Sequence, residues 1–173
     1  MSSKESLDDE PVLFAITDNA GLPFRVEFFP DDQGPDFFVY DQQVRIGHAY
    51  CLARGKTLYL ADLCISDAAY VPSSRFKVWL RCLFRLKAPR ENYFGRGLGS
   101  ALLWLVINMA RERGFQEITG EVKRSDSRVA RTLLDWYRRH GFTVTLEEGR
   151  PNVIASLSMQ LAPRQSGNRL ADG

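Results

Sequence analysis

Four absences narrow what this chain does. No run in it is long and apolar enough to span a bilayer. Histidine occurs only twice and cysteine three times. Cys51, Cys64 and Cys82 have no metal-ligand spacing, so no metal site is expected. Each cysteine sits among apolar neighbours, which reads as buried, reduced thiols. Net charge is only +2, too little to argue for nucleic acid by itself. The opening MSSKESLDDE is polar and acidic and does not read as a signal peptide. A cytoplasmic protein with no membrane contact is the resulting expectation. The fourth absence is local: between positions 68 and 90 there is no acidic residue, against six basic ones.

What is present is enough for one core. The chain has 173 residues, 45% apolar and 12% aromatic, the profile of a single globular domain. Positions 1–10 read as a disordered lead, 11–161 as the domain, 68–91 as a basic insertion and 162–173 as a flexible tail.

The stretch that organises the rest is 92–114, NYFGRGLGSALLWLVINMARERG. Gly95, Gly97 and Gly99 open it. Leu98, Leu102, Leu105 and Met109 then recur at helical spacing, with Ala101, Val106 and Ala110 beside them. A basic turn and Gly114 close the helix. A glycine loop feeding a helix start is an anion site: backbone N–H groups point outward, the helix dipole adds partial positive charge, and missing Cβ atoms allow close approach. Arg96 adds a full charge. The expected guest is a phosphate or pyrophosphate. A dinucleotide-binding reading fails, because no acidic residue closes a following strand in a βαβ context.

Gly-Arg-Gly-Leu-Gly-Ser at 95–100 resembles the acetyl-CoA loop of the GNAT superfamily of N-acetyltransferases. Downstream, 134–142 (LDWYRRHGF) is similar to that family's second signature, an aliphatic-rich helix with Tyr followed by Gly-Phe. Phe94 departs from the pattern, standing where the family has Gln or Arg. The resemblance implies an α/β (α+β) fold: one mixed, mostly antiparallel central sheet flanked by helices. It implies acetyl-CoA as co-substrate, held by backbone groups of Gly95, Arg96, Gly97, Leu98, Gly99 and Ser100. Backbone near Ile65 would pair with the pantetheine arm. It also implies an amine acceptor of unspecified type, and it allows a homodimer.

Along the chain, 24–29 (FRVEFF) alternates as a strand does. Strands are also expected over 37–40, 44–52 and 57–66, as an antiparallel meander. The helices the family places after its first strand have no counterpart here. Segment 75–87 alternates apolar with basic residues. Either 57–66 feeds the glycine loop and 67–91 is an insertion, or 75–87 is the feeding strand; the strand order favours the first. Then come a strand at 116–123, a helix at 128–140 capped by Asp126 or Ser127 and stopped by Gly141, and strands at 142–146 and 153–161.

Acetyl transfer needs a proton taken from the amine, a donor for the thioester oxygen, and a proton for the departing thiolate. The resemblance implies Tyr137 for the last. Asp62, inside an otherwise apolar strand, is the candidate base, and Glu121 is its rival. His48 and His140 read as structural. The basic stretch at 75–90 reads either as a solvated face or as a surface for an acidic partner such as RNA. A non-catalytic binding module using that stretch is the alternative to an enzyme.

Overall fold

The computed structural model describes residues 11–66, 69–70, 90–91, 93–124 and 130–162. The expected lead, the tail, most of the basic insertion and the capping residues Asp126 and Ser127 lie outside them. So does the rival feeding strand at 75–87.

The strands are β1 (Val12–Thr17), β2 (Pro23–Phe29), β3 (Asp36–Asp41), β4 (Val44–Arg54), β5 (Thr57–Ile65), β6 (Ala69–Tyr70), β7 (Arg90–Glu91), β8 (Glu117–Lys123), β9 (Thr143–Leu146) and β10 (Val153–Gln160). The helices are α1 (Leu98–Glu112) and α2 (Ala130–Arg139). Eight strands form one mixed sheet in the order β1-β2-β3-β4-β5-β8-β10-β9, and β6 with β7 forms a separate ladder. Two compact units divide the chain: Met1–Leu52 with Ala61–Trp104, and Ala53–Leu60 with Leu105–Gly173.

In the first unit β1, β2, β3 and β4 pair antiparallel in succession. β1 turns straight into β2, so the expected absence of early helices holds among the described residues. Strand alternation decides what is buried: Phe24, Val26 and Phe28 on β2, and Phe37 and Val39 on β3, lie in the core. Each such side chain contributes about 1.5–3 kcal/mol when fully buried. Ile46, Ala49 and Cys51 continue that core on β4. The β3–β4 register slips between Val39 and Tyr40, a bulge that re-aims the strand before His48. Leu98, Leu102 and Leu103 are the buried stripe at the start of α1.

In the second unit Thr57–Leu60 runs parallel to Glu117–Gly120. A parallel pair needs a crossover, and α1 lies between these strands in the chain. β8, β10 and β9 pair antiparallel. Val153, Ala155, Leu157 and Met159 alternate inward on β10, and Leu134 and Tyr137 form the buried stripe of α2.

Both glycine stops are confirmed by their hydrogen bonds. After α1, Gly114 N–H donates to Arg111 O and Phe115 N–H to Ala110 O; after α2, Gly141 N–H donates to Arg138 O and Phe142 N–H to Tyr137 O. Both glycines have positive φ, 78° and 88°. These are paired i−3 and i−5 bonds around a left-handed residue, which satisfy the last helical carbonyls.

Candidate active site

The glycine loop is held from a direction no local motif announces. The β1–β2 turn reaches it. Asn19 N–H donates to Arg96 O at 2.8 Å, and the Asn19 amide reaches Gly95 O at 3.4 Å. Asp18 caps its own turn by accepting the Ala20 and Leu22 N–H groups. Its other oxygen accepts Arg96 Nε at 2.9 Å and Nη2 at 2.6 Å. The Asp18 side chain is 2% exposed, so this is a buried ion pair. Burial alone would raise the Asp18 carboxyl. The Arg96 hydrogen bonds, the Leu22 and Ala20 amides and the nearby positive charge outweigh it, and the pKa lies below the ordinary carboxylate value. The guanidinium also lies over the rings of Phe24 and Tyr93, at 5.1 and 5.3 Å. Tyr93 is anchored in turn, its hydroxyl donating to Asp41 at 2.6 Å.

This arrangement assigns the glycines distinct duties. A Cβ on Gly97 would stand 2.2 Å from Asn19 Oδ1, at φ +85°. That glycine permits the turn to press against the loop. Among the described residues a Cβ on Gly95 would meet nothing within 4 Å, so that side of the loop is open to them. The first helical bond is Ala101 N–H to Gly97 O. The N–H groups of a helix's first turn have no intrahelical acceptor, and the first turn of α1 holds no acidic residue to compete for them. An open, glycine-lined helix start with this dipole fits a phosphate-bearing group. Arg96 was expected to lend the site its side-chain charge; its guanidinium is engaged by Asp18 instead.

Strand β5 carries the other first-unit candidates, Asp62 and Ile65. Its face changes character along its length. Leu58 and Leu60 are buried, whereas Asp62 and Cys64, at the same alternation, are exposed. Cys64 therefore departs from the expected buried thiol. Cys51 fits it: burial first, then the Asp36 charge, pushes its thiol up to about 12. Cys82 lies outside the described residues. Asp62 Oδ2 lies 3.0 Å from His48 Nε2. The His48 ring stacks on Tyr50 with centroids 4.5 Å apart, and Tyr50 meets Phe38 edge-on at 5.8 Å.

The second unit holds Glu121 and Tyr137. Glu121 accepts Arg150 Nη2 at 2.8 Å. It also raises the Tyr59 hydroxyl, after burial, by its charge and its hydrogen bond. Tyr137 is buried on α2, with its ring edge-on to Phe142 at 5.4 Å. His140 ends α2 with Nδ1 2.8 Å from Trp136 O, the capping role its position suggests.

A sequence model described as the acetyltransferase (GNAT) family matches residues 8–142. The chain belongs to that family. Solved GNAT structures share its fold. The ribosomal-protein-S18-alanine N-acetyltransferase of Escherichia coli is 14% identical, with TM-score 0.51 over 79% of this chain and 76% of that one. A GNAT acetyltransferase from Elizabethkingia anophelis, solved with acetyl-CoA bound, is 14% identical, with TM-score 0.50 over 88% and 99%. The PaiA N-acetyltransferase of Thermoplasma acidophilum, solved with coenzyme A, is 14% identical with TM-score 0.49 over 73% of this chain, which spans 60% of its length. No curated protein sequence matches the chain. In this chain the sheet is mixed and mostly antiparallel, and β5 with β8 is a parallel pair. Among the described residues no helix is long and apolar enough to cross a membrane.

Sequence reasoning missed Asp18, Asn19, Asp41 and Tyr93. Only the turn itself was legible, as the string Asp-Asn-Ala-Gly. Nothing local signals that it clamps a loop 78 residues away.

Proposed function

We propose that this GNAT protein is an N-acetyltransferase moving an acetyl group from acetyl-CoA to a primary amine, by direct attack within a ternary complex. The observation that carries the reading is the clamped loop: a glycine-lined helix start, open at Gly95, free of acidic residues in its first turn and fixed from behind by the β1–β2 turn. Such a loop binds a pyrophosphate without having to order itself first, which preserves affinity. The E. anophelis relative solved with acetyl-CoA supports this choice of co-substrate.

In this reading the backbone of Gly95, Arg96, Gly97, Leu98, Gly99 and Ser100 holds the pyrophosphate. Arg96 contributes through its main chain, its guanidinium being occupied by Asp18. Backbone near Ile65, at the end of β5, pairs with the pantetheine arm. Acetyl-CoA supplies the acyl group as a thioester. Tyr137 protonates the departing thiolate. Asp62 belongs to the base, whereas Arg150 occupies Glu121.

The test is thiol release from acetyl-CoA in the presence of 1,4-diaminobutane, L-lysine, kanamycin or an alanine-ended peptide, with mass spectrometry of each amine. Acetylation of at least one amine, with Tyr137→Phe lowering turnover by roughly 100-fold, supports the reading. Tight acetyl-CoA binding with no amine acetylated would contradict it.

A further inference from the structure

The exposed carboxylate of β5 does not stand alone. Its partner is His48 on β4, and the pair faces outward rather than into the core: the side chains are 21% and 59% exposed. The nitrogen that faces Asp62 is Nε2, at 3.0 Å. A carboxylate accepts hydrogen bonds, so Nε2 carries the proton in the neutral ring and Nδ1 carries the lone pair. Among the described residues Nδ1 has no hydrogen-bond partner. Here one nitrogen is fixed by a carboxylate and the other is left as an acceptor.

The surroundings suit an approaching ammonium. Phe29, Phe38 and Tyr50 form a chain of ring contacts across β2, β3 and β4, at 5.6 and 5.8 Å, and Tyr50 ends it against the imidazole. Aromatic faces attract cations; that of Phe38 is taken by Arg45 at 5.3 Å, which leaves the Tyr50 ring for the ammonium. The titratable groups near His48 among the described residues are Asp62 on β5, Tyr50 on β4 and Asp36 on β3, whose carboxyl lies above its ordinary value because burial, with the Asp31 charge, outweighs the Cys51 amide and the His48 charge.

We propose that His48, oriented by Asp62, is the base that takes the proton from the acceptor amine. The assignment rests on the acetyl-transfer reading. The step balances. The ammonium gives one proton to His48 Nδ1, and the imidazolium is stabilised by Asp62. The freed nitrogen lone pair forms a bond to the thioester carbonyl carbon. The C–S bond breaks, the sulfur leaves as thiolate and takes a proton from Tyr137, which regains the second proton lost by the nitrogen. Acetylamide, coenzyme A thiol and one proton on His48 result. Imidazole suits the task because one ring nitrogen can accept a proton while the other donates to a carboxylate.

The experiment uses the full chain and whichever of the four amines is acetylated. His48→Gln is expected to leave acetyl-CoA affinity unchanged, by calorimetry, and to lower kcat by roughly 100-fold or more. Its rate should then climb with pH as the amine loses its own proton. His48→Ala should regain rate with added imidazole. Asp62→Asn should lower kcat with KM held. A His48→Gln enzyme with wild-type kcat and pH profile overturns the assignment while leaving acetyl transfer standing. Failure of wild type to bind acetyl-CoA or to acetylate any amine overturns both.

Discussion

Asp18 and Asp62 are the same side chain in two opposite settings. Asp18 is enclosed, with both oxygens committed to a turn and a guanidinium. Asp62 is more than half exposed, with one imidazole beside it. A buried charge persists only when it is paired and hydrogen-bonded, and removing its partner leaves an uncompensated charge. An exposed pair contributes little to stability. The enclosed carboxylate therefore builds the loop, and the exposed one is available for chemistry. What decides their roles is the chain packed around them.

Asp18→Ala is the harshest break of this contrast. It removes the ion pair to Arg96 and the cap of the β1–β2 turn, leaving the Asn19 contacts to hold the loop. Turnover should drop by roughly 100-fold, the scale of a misplacement of about 1 Å, and acetyl-CoA affinity should fall. Calorimetry reads it, and the unfolding temperature should fall with it. Asp62→Asn, by comparison, should change unfolding free energy by less than about 1 kcal/mol. If the two variants are equally unstable, the contrast is wrong.

Gly97→Ala should come next. The residue sits at φ +85° and meets Asn19, and strain of this kind costs roughly 1–3 kcal/mol. Asn19→Gly in the same chain should recover part of that loss by removing the clash, though not the backbone strain. Chemical denaturation of the single and double variants measures the coupling.

Acid sharpens the contrast further. The folded pKa of Asp18 is depressed. Its stabilisation is therefore fully present above the unfolded value, ordinarily about 3.9, and is lost as pH falls through the folded value. The loop should stay closed at pH 5 and loosen well below pH 4, as followed by the near-ultraviolet signal of Tyr93. Asp18→Asn should abolish that acid transition.

The smallest effect is at the thiols. Iodoacetamide should label exposed Cys64 well before Cys51, whose thiol is buried and shifted to about 12. Peptide mass spectrometry locates the label.

The parts legible in the sequence were those set by neighbours in the chain. Alternation gave FRVEFF. Glycine after a basic turn gave both helix stops. The loop and the Tyr…Gly-Phe helix gave the family. Charge partners were not legible. Arg96 looked like a phosphate ligand because its sequence neighbours are glycines, and Asp18 lies 78 residues away. Cys64 looked buried because alternation cannot show where the cover over a strand ends. His48 looked structural because its partner is on the next strand.

Calorimetric titration of the wild-type protein and Gly99→Glu with acetyl-CoA tests the central claim most directly. Gly99 lies in the first turn of α1, where a carboxylate favours the helix and repels a pyrophosphate. Wild type should bind tightly and Gly99→Glu should show no measurable binding. Equal binding by the two proteins, or none by wild type, would contradict the claim.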